Sequence, residues 1–195
     1  MSSSASDLTR VGVVHDLRSR PEQRVLHAAA QMLEESSDPD VTVAALAARA
    51  RVAPMALRAH FPSLEAVYAE VYLQHVTALP LNIDPTASVH ARVSAQVRAI
   101  TVILAERPGL ARACTRALLA ADDPAVADVR ARIAAEVRRR LAAALGTGAW
   151  PEVVATLETV FWGALLQAHA REIGYHTMAR RLDTMLSLIL TGDDR

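Results

Sequence analysis

The chain has 195 residues, 52% of them hydrophobic and 22% charged, and its formal net charge is zero. It is long enough to bury a hydrophobic core, and its neutral balance gives no argument for nucleic-acid binding. The single cysteine, Cys114, excludes an internal disulfide framework and fits a reducing cytoplasm. No apolar run approaches the roughly 18 residues of a membrane span, and the N-terminus lacks the apolar region of a signal peptide, so we expect neither.

Helix-forming residues dominate the composition. Alanine is the commonest residue, leucine and arginine are plentiful, and aromatic content is 4%. No segment alternates between apolar and polar residues as a half-buried strand does. We therefore predict an all-α fold of about nine helices. The polar, serine-rich residues 1–18 are predicted to form a disordered N-terminal arm.

The first helix is predicted to begin at Ser19 and to end near Ser36. Ser19 and Glu22 have the spacing of a capping box, in which each side chain pairs with a backbone N–H at the helix start. Residues 37–40, which contain serine, aspartate and proline, form the turn that follows. The apolar residues at helical spacing are Val25, Leu26, Ala29, Met32 and Leu33.

Residues 41–67 have the pattern of two short helices, a tight turn between them, and the start of a longer helix. Thr42 is a suitable N-cap for the first helix, whose apolar periodicity ends at Arg51. Pro54 suits the first position of the second helix, because an N–H there would be unpaired. Ser63 caps the third helix. Two short helices joined in this way form a helix-turn-helix, a DNA-reading motif. The residues expected to face inward are Val43, Leu46, Ala47, Ala50, Leu57 and Phe61.

This stretch resembles the DNA-binding head of the tetracycline-repressor (TetR) family of one-component transcriptional regulators. Residues 21–36 are also similar to the first helix of that family. The positions that match the family motif are Thr42, Leu46, Ala47, Ala50, Val52, Leu57, His60, Phe61, Ser63 and Glu65. The resemblance implies an N-terminal three-helix DNA-binding head, residues 19–65, and a helical body for effector binding and dimerisation, residues 66–195.

Four positions depart from the family pattern. Arg51 replaces the glycine of the turn, so either the turn avoids a positive φ or it is strained. Ala53 replaces the serine that caps the recognition helix, which removes about 1 kcal/mol of capping. Arg58 and Leu64 replace the tyrosine and the lysine that usually contact phosphate. These replacements put the phosphate contacts in doubt, although Arg51 and Arg58 supply replacement charge.

The recognition helix is predicted to present mostly apolar side chains to the major groove. Such side chains contact thymine methyl groups, which predicts modest direct readout and more reliance on DNA shape. Arg58 is interpreted either as a contact to a guanine edge or phosphate or as a solvated surface residue. His60 is interpreted either as a donor to phosphate or as a packed structural histidine. The predicted DNA-binding residues are Thr42, Arg51, Pro54, Met55, Ala56, Arg58, Ala59 and His60.

Six further helices are predicted after the motif, with prolines and glycines marking most of their boundaries. The expected boundaries are Leu64 and Pro80 for the fourth helix, Thr86 and Arg107 for the fifth, Ala120 for the end of the sixth, Asp123 and Leu145 for the seventh, and Pro151, Gly174 and Thr191 for the last two. The family resemblance implies a homodimer through these last two helices. Burial in a monomer core would leave the same apolar pattern.

An effector pocket is expected among helices five to eight, for an apolar or amphipathic small molecule. Gln96, Thr101, His90 or Gln167 would supply polar groups. Cys114 is interpreted as a small buried residue rather than a redox sensor. The candidate lining residues are Val97, Ile100, Thr101, Leu104, Leu110, Cys114, Leu118, Phe161, Trp162 and Leu165.

We therefore expect a cytoplasmic, ligand-responsive transcriptional repressor that a small molecule releases from a double-stranded DNA operator. The alternative is a helical small-molecule-binding or protein-interaction module with a degenerate head. Residues 1–80 have a net charge of −2, which favours the alternative, whereas residues 41–60 have a net charge of +3.

We expect no enzyme and no cofactor, because no nucleophile elbow, phosphate loop or dinucleotide fingerprint is present. The sharpest metal-like pattern consists of His169, Glu172 and His176. These side chains would cluster only on one continuous helix, and Gly174 is expected to interrupt it.

Overall fold

The computed structural model describes residues 20–35, 41–119, 122–170 and 173–190. Within these ranges the regular structure consists of nine α-helices and one short 3-10 turn, with no strand, which confirms the all-α prediction. The helices are α1 (Arg20–Glu35), α2 (Val43–Ala50), α3 (Pro54–His60), α4 (Leu64–Ala78), α5 (Val89–Glu106), α6 (Pro108–Leu119), α7 (Pro124–Leu145), α8 (Pro151–His169) and α9 (Tyr175–Leu190). No helix of the described ranges is long and apolar enough to cross a membrane.

Helices α1 to α3, called the head below, pack around a small apolar core. Leu26, Leu46 and Leu57 are buried, one from each helix, and Phe61 closes the end of α3. These residues lie at the helical spacings that the sequence predicts. Because α2 and α3 have only eight and seven residues, packing on α1 rather than intrinsic helix propensity stabilises them.

Helix α4 leads from the head into the body, whose other helices are α5 to α9. It packs against α1 on the head side and against α6 and α7 on the body side. Ser63 caps it and accepts a hydrogen bond from the Ala66 amide at 3.1 Å, as predicted. Val67, Val71 and Val76 of this helix are buried. The helix is also buried on its other faces, because neighbours surround it on several sides.

The body is a helical bundle in which α5 packs on α9, α7 lies against α4, α5 and α8, and α8 packs on α9. Its apolar side chains form one continuous core with those of the head and α4. Pro124 and Pro151 occupy the first positions of α7 and α8, and Gly146 ends α7 with φ 65°, as their residue types predict.

One predicted boundary differs from the structure. Ser88, not Thr86, caps α5 and accepts from the Ala91 amide at 3.2 Å. Thr86 instead pairs with Asp84 through both its amide and its hydroxyl, in a local turn that precedes the helix. The predicted boundary at Arg107 agrees with the structure, and only this residue separates α5 from α6, because Pro108 is the first residue of the new helix. The predicted arm, the Ser19 cap and the ends at Ser36, Ala120 and Thr191 lie outside the described residues.

Candidate nucleic-acid interface

Helix α2, which leads into the turn before α3, is capped at both ends. Thr42 Oγ1 accepts from the Ala45 amide at 3.1 Å and starts α2. At the other end, Arg51 has φ 54° and ψ 48°, the left-handed conformation. Its amide and that of Val52 donate to Ala48 and Ala47, the two hydrogen bonds of a Schellman motif. Of the two alternatives for Arg51, the strained turn is therefore the one that occurs.

Recognition helix α3 begins without a side-chain cap. Ala53 precedes it, and Pro54 is its first residue. The Met55 side chain is 76% exposed, and Pro54, Arg58 and Ala59 are exposed beside it. Of the eight predicted DNA-binding residues, seven are exposed and Ala56 is half-buried. The helix thus presents an apolar surface with one arginine, while Leu57 anchors its other face.

The positive charge of this region is smaller than the sequence suggests. Arg49 forms a bidentate ion pair with Glu35 of α1, with Nη1 and Oε2 separated by 2.6 Å. The hydrogen bonds from Arg49 lower the pKa of Glu35. Arg51 and Arg58 are exposed and have no ion pair with any described residue. These two arginines are therefore cations of the turn and of α3 that carry no carboxylate partner in the described ranges.

His60 is held by α1 rather than packed in the core. Its Nδ1 lies 3.0 Å from Oε1 of Glu22, and its side chain is 32% exposed. This contact orients the ring and occupies one nitrogen. His60 is thus positioned by α1 and remains at the surface, and its contact with phosphate stays a prediction.

The predicted effector-lining residues meet inside the body. They lie on α5, α6 and α8, and all are buried except Trp162, which is half-buried against the Phe161 ring with centroids 5.6 Å apart. Of the proposed polar partners, Thr101 donates to its own helix at Val97, and Gln167 is exposed. Burial raises the pKa of the Cys114 thiol, which donates to the Tyr68 carbonyl at 2.9 Å, so the buried interpretation of this residue agrees with the structure.

Sequence reasoning missed one polar group in this core. The Tyr72 side chain is fully buried on α4, and its hydroxyl has no hydrogen-bond partner among the described residues. Burial raises the pKa of Tyr72, and Cys114 and Tyr175 add smaller effects in the same direction. A buried hydroxyl without a partner costs about 1–3 kcal/mol, which a bound molecule with a hydrogen-bonding oxygen would recover.

Other surface features bear on the remaining predictions. Leu166 of α8 and Leu188 of α9 are 52% and 75% exposed, and Met185 is also exposed, so these two helices leave apolar side chains uncovered. An open groove of about 1070 Å³ lies between α5 and α9, and Val97 is the member of the predicted lining that borders it. For the metal-like pattern, α8 ends at His169 and α9 begins at Tyr175, so no continuous helix joins its residues; Glu172 and the side chain of His169 lie outside the described residues.

Comparison with known proteins identifies the family. No protein-family model matches the chain. An HTH-type transcriptional regulator of Mycobacterium tuberculosis is 43% identical over 171 residues, which cover 87% of this chain and 80% of the relative. A regulator of Mycobacterium bovis described in the same way has the same identity and coverage.

Solved structures give the fold. A TetR transcriptional regulator from Rhodococcus sp. RHA1 has a TM-score of 0.72 at 20% identity, covering 88% of this chain and 95% of that one. A TetR transcription regulator from Haloarcula marismortui has a TM-score of 0.61 at 18% identity, covering 90% and 98%. The chain belongs to the helix-turn-helix transcriptional regulators and has the TetR fold.

The head of this regulator meets its body across a polar junction that no local sequence motif predicted. A cavity of about 410 Å³ lies there, bordered by α1, α3, α4 and α7. Its titratable lining residues are Glu22, His60, Glu70, Asp128 and Arg132. The only sequence signal was the acid-to-arginine spacing on α7, such as Asp128 to Arg132 and Glu136 to Arg140, which is also typical of a solvated helix face.

Proposed function

We propose that this TetR-type regulator is a cytoplasmic repressor that binds double-stranded operator DNA through α3 and the preceding turn. The head corresponds to residues 19–65 and the body to residues 66–195. The observation that carries the proposal is the exposed surface of α3, where Met55 and Arg58 project from a helix that Leu57 anchors to the head. Arg51 and Arg58 contact phosphate or a guanine edge, and the apolar residues contact thymine methyl groups.

We assign the dimer interface to α8 and α9. TetR regulators dimerise, and these helices leave Leu166 and Leu188 exposed in the single chain. Pairing α8 and α9 with a second copy would cover these side chains in a four-helix interface. A dimer also provides two recognition helices, which must lie about 34–36 Å apart to enter successive major grooves.

The body is proposed to bind a small apolar or amphipathic effector among α5, α6 and α8. The buried candidate lining and the unpaired Tyr72 hydroxyl support this site. The effector would prefer a body conformation in which the two heads no longer fit one turn of DNA. To move the population from 1:99 to 99:1, it must bind the released state more tightly by about 5.5 kcal/mol.

DNA binding is tested first, with the duplex upstream of the protein's own gene and a scrambled duplex of equal length. We expect tighter binding to the native duplex, with log affinity falling linearly in log salt between about 50 and 200 mM. Arg58→Ala should weaken binding and reduce the salt slope by about one unit, because it removes one phosphate or base contact. An unchanged slope would remove Arg58 from the interface. No binding to either duplex at low salt would instead favour a small-molecule-binding module with a degenerate head.

Effector coupling is tested by calorimetric titration of a candidate effector into the free protein and into its DNA complex. Release requires a lower effector affinity for the DNA complex than for the free protein. Equal affinities would contradict the release mechanism even if both ligands bind.

A further inference from the structure

Helix α4 connects the DNA-binding head to the body, and it runs beside α7 in the same direction. The N-terminus of α4 at Ser63 lies against the N-terminus of α7 at Asp123. At the other end, the final carbonyls of α4 lie against Arg140, near the end of α7. The two helices are therefore parallel and nearly in register. Polar side chains join them at three levels along the roughly 22 Å length of α4.

The first contact joins the two helix caps. Ser63 Oγ donates to Asp123 Oδ2 at 2.5 Å. Ser63 also accepts from the amide that starts α4, and Asp123 Oδ1 accepts from the Ala125 amide at 2.9 Å at the start of α7. The hydrogen bond from Ser63 lowers the pKa of Asp123, so the carboxylate form is favoured. Each cap therefore orders its own helix and holds its neighbour.

The second contact is an ion pair at the middle of α4. Glu70 is 7% exposed, and its carboxylate pairs with the guanidinium of Arg132 on α7. Arg132 also pairs with Asp128 one turn earlier, with Nε and Oδ2 separated by 3.2 Å. Because Glu70 is buried, separating it from Arg132 would leave a carboxylate poorly solvated.

The third contact holds the C-terminal end of α4. The Arg140 side chain is fully buried, and its Nη2 donates to the Leu79 carbonyl at 2.6 Å. The same guanidinium donates from Nε to Glu136 at 2.8 Å and from Nη1 to Gln96 Oε1 of α5 at 3.2 Å. A helix C-terminus carries partial negative charge on its unpaired carbonyls, so a buried cation stabilises it. Arg140 thus ties α4 to both α7 and α5.

On the α4 side the three contacts lie at Ser63, Glu70 and Leu79, which are seven and nine residues apart. Because of this spacing, α4 cannot tilt on α7 without breaking a cap or exposing a buried charge. We infer that α7 positions the DNA-binding head, and that Ser63–Asp123, Glu70–Arg132 and Leu79–Arg140 are the positioning contacts that make α4 and α7 move as one unit. Helix α7 in turn packs on α5 and α8, which carry part of the candidate effector lining. A displacement there reaches the head through α7 rather than by bending of α4. The inference rests on the proposed function only in taking the head as the DNA-binding part.

The experiment measures the distance between head and α7 within one subunit. Gln31 on α1 and Ala135 on α7 are exposed, so Gln31→Cys and Ala135→Cys provide positions for spin labels. The native Cys114 is buried, and the protein with this cysteine alone is the blank for labelling. Labelled protein is diluted into an excess of unlabelled protein, so that only the distance within one subunit is read. We expect a single narrow distance. Glu70→Gln and Arg140→Gln should shift and broaden it, because each removes one positioning contact.

Matched variants separate positioning from general stability. Arg138→Gln removes an ion pair of similar chemistry, with Glu158 of α8, that does not touch α4, and it should leave the distance unchanged. Asp123→Asn keeps an acceptor for Ser63 and should preserve the single narrow distance. Asp123→Ala removes the acceptor and should shift and broaden the distance. An unchanged distance in folded Glu70→Gln and Arg140→Gln would overturn the inference, as would an equal change in Arg138→Gln.

Hydrogen exchange of the wild-type protein keeps the inference testable if these variants do not fold. The slowest amides of α4 should open together with those of α7, as one cooperative unit. Exchange of α4 in step with α1 to α3, and independently of α7, would reject it. Neither measurement uses DNA, so a failure of operator binding would contradict the proposed function and leave this result intact.

Discussion

Arginine–carboxylate pairs occur both in the head and along α7, and their surroundings give them different roles. Arg49 and Glu35 form a bidentate pair at the head surface, where their side chains are 36% and 58% exposed. Arg140 has the same kind of partner in Glu136, yet its side chain is 1% exposed. The pKa of Glu136 stays lowered although burial alone would raise it, because Arg139 and Arg140 both donate to it.

The comparison teaches which charges are available for binding. An exposed pair contributes about 0–1 kcal/mol, so phosphate can replace its carboxylate at little cost. Removing one partner of a buried pair costs about 3–5 kcal/mol, because the other charge remains unsolvated. Arg49 can therefore exchange its carboxylate partner for another anion, whereas Arg140 is committed to the fold.

The largest effect on stability should follow from breaking the buried pair of Arg140 and Glu136. Arg140→Ala should lower the free energy of unfolding by about 3–5 kcal/mol, because it leaves Glu136 and the α4 carbonyls without their buried cation. Arg49→Ala in the exposed head pair is the matched control and should cost much less, because the Glu35 carboxylate left behind is solvated. Urea unfolding of both variants measures the difference. Similar costs would show that burial does not distinguish these arginines.

A smaller effect should separate strain from charge in the head. Arg51→Gly should raise the free energy of unfolding by about 1 kcal/mol, because glycine adopts the left-handed conformation without a Cβ clash. Arg51→Ala removes the same charge and keeps most of the strain. If Arg51 contacts phosphate, both variants should show a salt slope of DNA binding that is lower by about one unit. Greater stability in the alanine variant than in the glycine variant would contradict the strain.

Releasing Arg49 from Glu35 should strengthen DNA binding modestly, whereas the Arg51 substitutions weaken it. Glu35→Gln frees Arg49 from its ion pair, so DNA affinity should increase and its salt slope should steepen by up to about one unit. Stability should change little, because the pair is exposed. Salt titration of duplex binding measures the effect. A slope equal to that of the wild type would mean that Arg49 does not reach the DNA.

The smallest effect concerns a histidine on α4 near both regions. Burial lowers the pKa of His75 below its usual 6.5, and Arg107 acts in the same direction while Glu34 opposes it. The unfolded chain therefore binds a proton more readily, so this contribution to stability is present above pH 6.5 and is lost as the pH falls towards the lower folded value. His75→Gln should flatten the pH dependence of unfolding in that window. An identical pH profile in the variant would exclude His75 as its source.

Local patterns in the sequence predicted most of the fold and part of the candidate site. The helix boundaries at Pro124, Gly146 and Pro151 follow from residues whose backbone preferences act over one turn. The same holds for Thr42 and Ser63, which cap the helices they were predicted to cap. The prediction that Thr86 caps α5 was wrong, because Ser88 occupies the cap position and Thr86 donates to Asp84 instead.

By itself, the sequence determined the all-α class, the helix-turn-helix and the exposed face of α3, since each depends on residues a few positions apart. Tertiary structure alone decided which charged side chains are free to bind another molecule and which are held in ion pairs within the fold. The pairs Arg49–Glu35, His60–Glu22 and Glu70–Arg132 join residues far apart in the chain, and Arg140 is buried only because α4, α5 and α7 meet around it. Helical periodicity identifies the face on which a charged residue lies but does not specify which other helix covers that face.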